Sequence, residues 1–308
     1  MAKILLVLVA FISSILIIGC NSVKEKEIVK EKIVKAGLFE YEIPLPESVM
    51  FFGEKVLLTD LDINERLQKE IASFVYNPYS LIGILKRSKR YYPEFEKIAK
   101  DQNLPTDIKY LASIESNLLN ATSPAGAKGL WQIMESTGKQ YGLRIDDEVD
   151  ERLHTSKSTK AACAFLSWLR TNAGNWVNAC AAYNRGLDGL KNDLDRQGVT
   201  HFFDGELNNE TARYVFRIMA FKIVYENQEK YRIHLPDSAY YFPISTQKIT
   251  IEKAIPDLSK WALNKDINLK ILRKLNPWLI GESLKTHNDI TIEIPARKSL
   301  LRPYASYQ

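Results

Sequence analysis

Between residues 104 and 228 the apolar positions recur every three or four residues, which is the spacing of one face of an α-helix. This spacing predicts helices near 105–120, 135–142, 157–172, 175–184, 186–196 and 209–228. Upstream, residues 61–100 carry two or three further helical patterns. Residues 38–60 are rich in Pro and Phe and predict an extended segment that wraps the body. The sequence therefore predicts a mainly α-helical protein.

The pattern changes after residue 247, where apolar and polar residues begin to alternate. The segments KITIEKA at 248–254 and DITIEIP at 289–295 have the period of two that is typical of strands. They flank two short helical patterns, DLSKWALNKD and NLKILRKLNPW. We therefore expect a small β-α-α-β domain at the C-terminal side of the helical body.

The chain divides on these patterns into seven parts. The predicted parts are a leader at 1–19, a charged tether at 20–37, an N-terminal wrapping and helical extension at 38–100, a helical domain at 101–230, a linker at 231–247, a small domain at 248–296 and a tail at 297–308.

The leader has the layout of a secretory signal, with Lys3 before an apolar run from Leu5 to Ile18. Its end, LIIGC at 16–20, resembles a bacterial lipobox, in which the cysteine is diacylated and becomes the new N-terminus. A plain N-terminal anchor helix is the alternative. Lipidation at Cys20 predicts a lipid-anchored membrane protein on the periplasmic side of the cell envelope. The outer membrane is the favoured location, and the inner membrane stays open as the alternative.

Charge and composition exclude some classes of partner. The formal net charge of +5 is mild, and no basic cluster is interleaved with aromatic residues, so nucleic acid is not a predicted partner. The four histidines lack the spacing of metal ligands, so we predict neither a metal nor another cofactor. Cys163 and Cys180 lie among small helical residues, which favours buried thiols over a disulfide. The protein is expected to be a monomer.

One glutamate lies on the apolar face of its predicted helix. The stripe of that helix, TDIKYLASIESNLLN at 106–120, contains Ile108, Leu111, Ala112, Leu118 and Leu119. Glu115 falls on the same stripe, seven residues after Ile108. A carboxylate that loses hydration tends to keep its proton at neutral pH, as a general acid must. The alternative from periodicity alone is a glutamate at the rim of the stripe with its carboxylate in water.

The residues that follow supply groups suited to a sugar. The segment SPAGAKGLWQIM at 123–134 is rich in Gly and Ala, which lets its backbone approach a ligand closely. Ser123 and Gln132 offer neutral hydrogen-bonding groups of the kind that bind sugar hydroxyls and acetamides. Trp131 is expected to pack in the core rather than to line the site. Further on, AYNRG at 182–186 ends one helix and ETARYV at 210–215 begins another.

Taken together, four short segments resemble the motifs of the soluble lytic transglycosylase family, which is lysozyme-like. They are ES at 115–116, GLWQ at 129–132, AYN at 182–184 and ET-x-x-YV at 210–215. The β-α-α-β segment, with LNPW at 275–278 and EIP at 293–295, is similar to a LysM peptidoglycan-binding module. The resemblance implies a lysozyme-like helical catalytic domain at 101–230, a LysM-like domain at 248–296, and peptidoglycan glycan strands as the partner.

The resemblance also implies a reaction. Glu115 would protonate the oxygen between N-acetylmuramic acid and N-acetylglucosamine, and would then deprotonate the muramoyl 6-hydroxyl to leave a 1,6-anhydromuramoyl end. This is the chemistry of a peptidoglycan lytic transglycosylase in cell-wall remodelling. The implied substrate-binding residues are Ser116, Ser123, Gln132, Tyr183 and Asn184, and the implied site-ordering residues are Glu210 and Tyr214. By the same resemblance, Tyr183 would hydrogen-bond near Glu115 and the acetamide group.

The chain departs from the family pattern at several positions. Glu135 stands where Pro is usual, Arg185 where Ala is common, and Ala212 where Arg is common. Glu135 is expected to be a helix N-terminal acid favoured by the helix dipole, with a catalytic contribution left open. The LysM-like segment has Ile-Pro-Asp at 255–257 in place of Gly-Asp-Thr, which leaves its glycan affinity open.

Two other functions remain open on the sequence. A hydrolytic muramidase would need a second acid, such as Glu135, Asp146 or Asp147, to position water. A non-catalytic lipoprotein could use the groove and the LysM-like domain to tether the membrane to the wall. The run from Glu115 to Met134 contains no carboxylate after Glu115, which favours a reaction in which the substrate supplies its own nucleophile.

Overall fold

The computed structural model describes residues 43–285 and 290–296, and the elements below belong to the compact unit Leu45–Gln308. The predicted leader, the lipidation site Cys20, the tether and the tail lie outside the described residues. None of the helices in the described part of the chain is both long enough and apolar enough to cross a membrane.

The described chain begins with a β-hairpin and two helices. Strand β1 (Ser48–Phe51) pairs with β2 (Glu54–Leu57) in antiparallel register, and helices α1 (Leu61–Val75) and α2 (Pro78–Asp101) follow. Asp60 caps α1 by accepting a hydrogen bond from the Ile63 amide at 3.1 Å. Phe52, at the turn of the hairpin, stacks on Trp176 with ring centroids 5.0 Å apart. The segment predicted to be extended therefore holds a hairpin that packs on the helical body.

Six helices form that body, as the apolar spacing predicted. They are α3 (Ile108–Ser116), α4 (Glu135–Gln140), α5 (Thr155–Ala173), α6 (Trp176–Arg185), α7 (Leu187–Asp195) and α8 (Asn209–Glu226). Helix α8 packs against α1, α3 and α6, and most of its residues from Tyr214 to Val224 are buried. It is therefore the central helix, which explains why its apolar residues extend around most of its circumference.

Helix α3 ends earlier than the apolar spacing suggested. Asn117 and Leu118 both adopt positive φ, at 52° and 57°, and this left-handed pair terminates the helix after Ser116. Leu118 is buried, but the side chain of Leu119 is 48% exposed, so its placement on the buried stripe was wrong. The early end leaves Glu115 in the last turn of the helix.

The C-terminal part has the β-α-α-β order that the alternation predicted. Strand β3 (Thr246–Thr250) is antiparallel to β4 (Thr291–Pro295), with Ile249 opposite Ile292, and helices α9 (Leu258–Leu263) and α10 (Leu269–Leu275) lie between them. Strand β3 occupies Thr246–Thr250, whereas the alternating pattern ran from 248 to 254. Asp257, at one of the departing positions, caps α9 by accepting from the Lys260 amide at 2.9 Å.

The C-terminal domain contacts the helical body through residues 148–150. Val149 is buried in the hydrophobic core of the β-α-α-β domain, and the Asp150 amide donates to the Trp278 carbonyl oxygen at 2.9 Å. The carboxylate of Glu148 accepts hydrogen bonds from Ser283 Oγ at 2.9 Å and from the Lys285 amide at 3.0 Å. The two domains therefore share core packing and hydrogen bonds.

Both described cysteines are buried free thiols within the helical body. Burial raises the pKa of Cys163 to about 12 and that of Cys180 well above its ordinary value. Since the thiolate is the reactive form, both side chains act as small core residues.

Candidate active site

The carboxyl of Glu115 lies in the last turn of α3 and contacts α8. The Tyr214 hydroxyl, on α8, donates a hydrogen bond to Glu115 Oε1. Burial raises the pKa of Glu115 to about 7, although the Tyr214 hydrogen bond and the charge of Arg217 act to lower it. The carboxyl is therefore poised between its acid and base forms at neutral pH, in agreement with the desolvation that the apolar stripe predicted.

Two tyrosines on two different helices lie at this carboxyl. Burial raises the pKa of Tyr214 and that of Tyr183 well above the ordinary value, and the nearby Glu115 carboxylate acts in the same direction. Both phenols therefore stay protonated and can donate hydrogen bonds. The Tyr183 hydroxyl donates to the Trp131 carbonyl oxygen at 2.7 Å, so it ties α6 to the loop at 123–134.

Three of the predicted sugar-binding residues make hydrogen bonds in or next to the loop at 123–134. The buried hydroxyl of Ser116 donates to the Leu130 carbonyl oxygen at 2.8 Å. Ser123 Oγ accepts from the Ala127 amide at 3.0 Å. Gln132 Nε2 donates to the carbonyl oxygens of Ala121 and Gly129, at 3.1 and 2.8 Å. These side chains hold the loop against the end of α3, and contact with a sugar stays a prediction for each of them.

Close packing and buried hydrogen bonds at Gly129, Trp131 and Arg152 hold the loop at 123–134 in place. Gly129 has a φ of +83°, and a Cβ there would lie 2.0 Å from the Arg152 carbonyl oxygen, so only glycine fits. Trp131 is fully buried, and its Nε1 donates to Thr159 Oγ1 at 2.9 Å, which confirms the packing interpretation. Arg152 Nη1 donates to the Gly126 and Ile133 carbonyl oxygens at 3.1 and 3.3 Å.

Arg152 is a residue that sequence reasoning missed. Its side chain is buried, and Asp150 accepts from its Nε and Nη2 at 2.9 and 2.8 Å. The surrounding sequence, DERLH at 150–154, has the composition of a solvated turn, so no local signal marked the charge as internal.

Asn184 and Glu210 join the helices that carry the two tyrosines. Asn184 Nδ2 donates to Glu210 Oε1 at 3.0 Å, and Thr211 Oγ1 donates to Asn184 Oδ1 at 2.9 Å. Asn208 caps α8 by accepting from the amides of Glu210 and Thr211, at 3.1 and 3.0 Å. The end of α6 is thereby fixed against the start of α8.

The carboxylates that could serve as a second acid are paired with other groups or lie exposed at the surface. Glu135, in the first turn of α4, pairs with Lys139 at 2.6 Å, and this hydrogen bond lowers its pKa; its side chain is 58% exposed. Burial acts to raise the pKa of Asp146, but hydrogen bonds from Arg144 and from the Glu148 and Val149 amides lower it overall. Asp147 is exposed. Neither Glu135 nor Asp146 has the raised pKa that distinguishes Glu115.

The N-terminal extension contacts the helix that carries Tyr214. Glu70, buried on α1, forms a bidentate pair with Arg213, at 2.6 Å to Nε and 3.0 Å to Nη2. Arg66 Nη2 donates to the Ala212 carbonyl oxygen at 2.6 Å. The sequence did carry a signal here, because Glu70 lies next to Ile71 on the apolar face of α1, as Glu115 does on α3.

Metal-ligating side chains do not gather at the site. Across residues 43–285 and 290–296, the His, Cys, Asp and Glu side chains form no group of three that could hold a metal ion.

Comparisons with known proteins agree with the family that the motifs resemble. The transglycosylase SLT domain model matches residues 93–202, and the soluble lytic transglycosylase C-terminal LysM-like domain model matches residues 247–298. Among curated proteins, membrane-bound lytic murein transglycosylase D of Escherichia coli K12 is 24% identical over 307 residues. That match covers 93% of this chain and 67% of the relative.

Solved structures give a weaker likeness. The 70 kDa soluble lytic transglycosylase of Escherichia coli is 18% identical, with a TM-score of 0.41, over 57% of this chain and 33% of that chain. An inactive mutant of the lytic transglycosylase Slt from Pseudomonas aeruginosa is 22% identical, with a TM-score of 0.36, over 49% of this chain and 26% of that chain. The domain matches carry the assignment. The chain therefore contains a transglycosylase SLT domain followed by a C-terminal LysM-like domain, and this domain composition indicates a lytic transglycosylase enzyme.

Proposed function

We propose that the enzyme cleaves the β-1,4 bond between N-acetylmuramic acid and N-acetylglucosamine in peptidoglycan, leaves 1,6-anhydromuramoyl ends, and acts in cell-wall remodelling. The observation that carries this proposal is the carboxyl of Glu115, whose pKa is raised to about 7 by burial while Tyr214 holds it by a hydrogen bond. A group with this pKa exchanges a proton in either direction near neutral pH.

In the first step Glu115 gives its proton to the bridging oxygen as the bond between that oxygen and C1 of the muramoyl residue breaks. The 2-acetamido group of the same sugar supports the positive charge that develops at C1. In the second step the Glu115 carboxylate takes the proton of the muramoyl 6-hydroxyl while O6 bonds to C1. Glu115 is thereby reprotonated, and no water is consumed.

The surroundings of the other acids support this route over hydrolysis. Most glycosidases use a second carboxylate to activate water or to attack the sugar. Glu135 is paired with Lys139, and Asp146 accepts hydrogen bonds from Arg144 and two backbone amides. A nucleophile within the substrate removes the need for a second acid.

We assign the remaining predicted residues supporting roles. Tyr183 and Tyr214 orient the reacting carboxyl and the acetamide group. Ser123 and Gln132 present the loop at 123–134 to the sugar, and Ser116 fixes that loop to the end of α3. Asn184 and Glu210 keep α6 and α8 in register, which sets the positions of the two tyrosines.

We further propose an enzyme anchored by lipid at Cys20 on the periplasmic side of the outer membrane, acting as a monomer. The lipobox-like segment at 16–20 and the similarity to a membrane-bound relative support the anchor. In this arrangement residues 20–37 serve as the tether, residues 38–100 extend the domain at 101–230, and residues 248–296 add contacts to the wall.

The test is mass spectrometry of the soluble products released from purified sacculi by the mature protein. Products that end in 1,6-anhydromuramic acid would support the intramolecular route. Reducing muramic acid ends would show that water is the nucleophile and would overturn it. Absence of products while the protein remains bound to sacculi would favour a non-catalytic tether.

A further inference from the structure

A row of aromatic side chains leads away from the catalytic carboxyl along the outside of α5. The Tyr183 ring lies 5.4 Å from Phe165, and Phe165 in turn lies 5.5 Å from Tyr141 and 6.2 Å from Trp168. The planes of Phe165 and Trp168 differ by only 19°. We call Tyr183, Phe165, Tyr141 and Trp168 the aromatic strip.

The strip is accessible to solvent, unlike most large rings of the helical body. The Trp168 side chain is 45% exposed, and the other three rings are partly exposed. Phe165 and Trp168 are one turn apart on α5, so they lie on the same side of that helix. Core packing explains the buried Trp131 and leaves the exposure of Trp168 unexplained.

We propose that the aromatic strip is a subsite that binds sugar rings of the glycan strand beyond the bond that is cut. This inference rests on the proposed function and extends its site by Tyr141, Phe165 and Trp168. The C–H faces of a pyranose ring are apolar, and covering them with an aromatic ring removes apolar surface from water. A sugar ring that is bound through its face does not need a hydrogen bond at every hydroxyl group.

Continuity with the catalytic centre favours a glycan as the occupant. Tyr183 belongs to both, since its ring begins the strip and it is close enough to the Glu115 carboxylate for that charge to raise the pKa of its phenol. The exposed residues beside Trp168 on α5 are neutral and polar, namely Ser167, Thr171 and Asn172. The charge of the nearby Arg170 is paired with Glu54 at 3.0 Å. The neutral polar groups suit sugar hydroxyls, whereas a peptide with charged side chains would gain no charge pairing from them.

The test measures binding rather than turnover, so that it does not depend on the chemistry of the product. The full mature protein with Glu115→Gln is titrated with glycan strands from which an amidase has removed the peptides. Trp168→Ala and Trp168→Phe are compared in that background. Phe242→Ala is the matched control, because it removes another exposed ring, on the linker after the helical body, that is 53% exposed.

We expect Trp168→Ala to weaken strand binding about three- to tenfold, Trp168→Phe to restore most of the loss, and Phe242→Ala to leave binding unchanged. Equal binding by Trp168→Ala and its parent would overturn the subsite. A loss that is seen only on peptide-bearing strands would also overturn it and would make the stem peptide the occupant. Failure of the parent itself to bind would point instead to failure of the proposed function.

Discussion

The hydroxyl of Tyr214 donates a hydrogen bond to the carboxyl of Glu115, although the two residues are 99 positions apart in the chain. The contact exists because α8 packs against α3. It gives a desolvated acid a partner that stays protonated and that opposes part of the rise in its pKa.

Replacing the acid separates catalysis from binding. We expect Glu115→Gln to lower the rate of glycan cleavage by at least about 100-fold, because general acid catalysis contributes roughly 10²–10⁴-fold. Folding and sacculus binding should be retained, since the amide keeps the shape of the side chain. The matched control is Glu135→Gln, which removes an exposed carboxylate paired with Lys139 and should leave the rate within about twofold. Comparable losses in the two variants would contradict the assignment of Glu115.

The same substitution predicts a change in stability with pH. Between the ordinary pKa of 4.5 and the folded pKa of about 7, the folded protein keeps a proton on Glu115 that the unfolded chain has released. Stability must therefore fall as pH rises through this window. Glu115→Gln has no proton to release and so removes this pH dependence. At roughly 1.4 kcal/mol per pKa unit, its free energy of unfolding should exceed that of the parent by up to about 3 kcal/mol at pH 7. Urea unfolding at pH 4.5 and pH 7.5 measures the difference; parallel curves would refute it.

The two tyrosines can be told apart by the pH dependence of the reaction. The hydrogen bond from Tyr214 lowers the pKa of Glu115, so Tyr214→Phe should raise that pKa and move the alkaline limb of kcat/KM to higher pH. Tyr183→Phe removes a hydrogen bond to the Trp131 carbonyl oxygen instead, and should shift the limb less. The outcome that sinks this interpretation is an equal shift in both variants.

The ion pair between α1 and α8 predicts an asymmetric loss of stability. Arg213→Ala leaves the buried carboxylate of Glu70 without its bidentate partner, and should destabilise the protein by about 2–4 kcal/mol. Glu70→Gln leaves the half-exposed Arg213 to solvent and should cost less. Chemical denaturation gives both values, and a larger cost for Glu70→Gln would reverse the argument.

The contact between the two domains has its own test. Glu148→Ala removes the acceptor for Ser283 Oγ and the Lys285 amide and should cost about 1–3 kcal/mol, whereas the neighbouring, exposed Asp147→Ala should cost little. Hydrogen exchange at residues 278–285 reads the contact directly. Unchanged protection in Glu148→Ala would mean that the packing of Val149 holds the domains together without it.

This contact also decides how the wall-binding role of the LysM-like domain should be measured. Deletion of residues 248–308 would expose Val149, which is buried in the core of that domain. A deletion would therefore disturb the catalytic domain as well as remove the module. Substitutions at exposed positions of the LysM-like domain avoid this, and unchanged sacculus affinity in them would refute a binding role for the module.

Much of the architecture followed from local pattern. The spacing of apolar residues predicted the six helices of the body, and the change to alternation after residue 247 predicted the two C-terminal strands. Glu115 was identifiable because a carboxylate on an apolar stripe is exceptional, and the same rule would have found Glu70 on α1. Helix ends were less predictable, as the exposed Leu119 shows. Helix α3 ends at Asn117 and Leu118 in the left-handed conformation, and no glycine in the sequence marks this point.

The sequence by itself determined which segments are helical, where the strands of the C-terminal domain lie, and which carboxyl is set apart, because periodicity and side-chain chemistry are local properties. Only the tertiary structure decided that Tyr214 rather than Tyr183 contacts Glu115, that Arg152 supports the loop from inside, and that Val149 belongs to the core of the C-terminal domain. Some of these contacts join residues that lie far apart in the chain. Others bury a charged side chain that its local sequence predicted to be exposed. They depend on how helices cross and on which charges are desolvated together, and neither is encoded in any single segment.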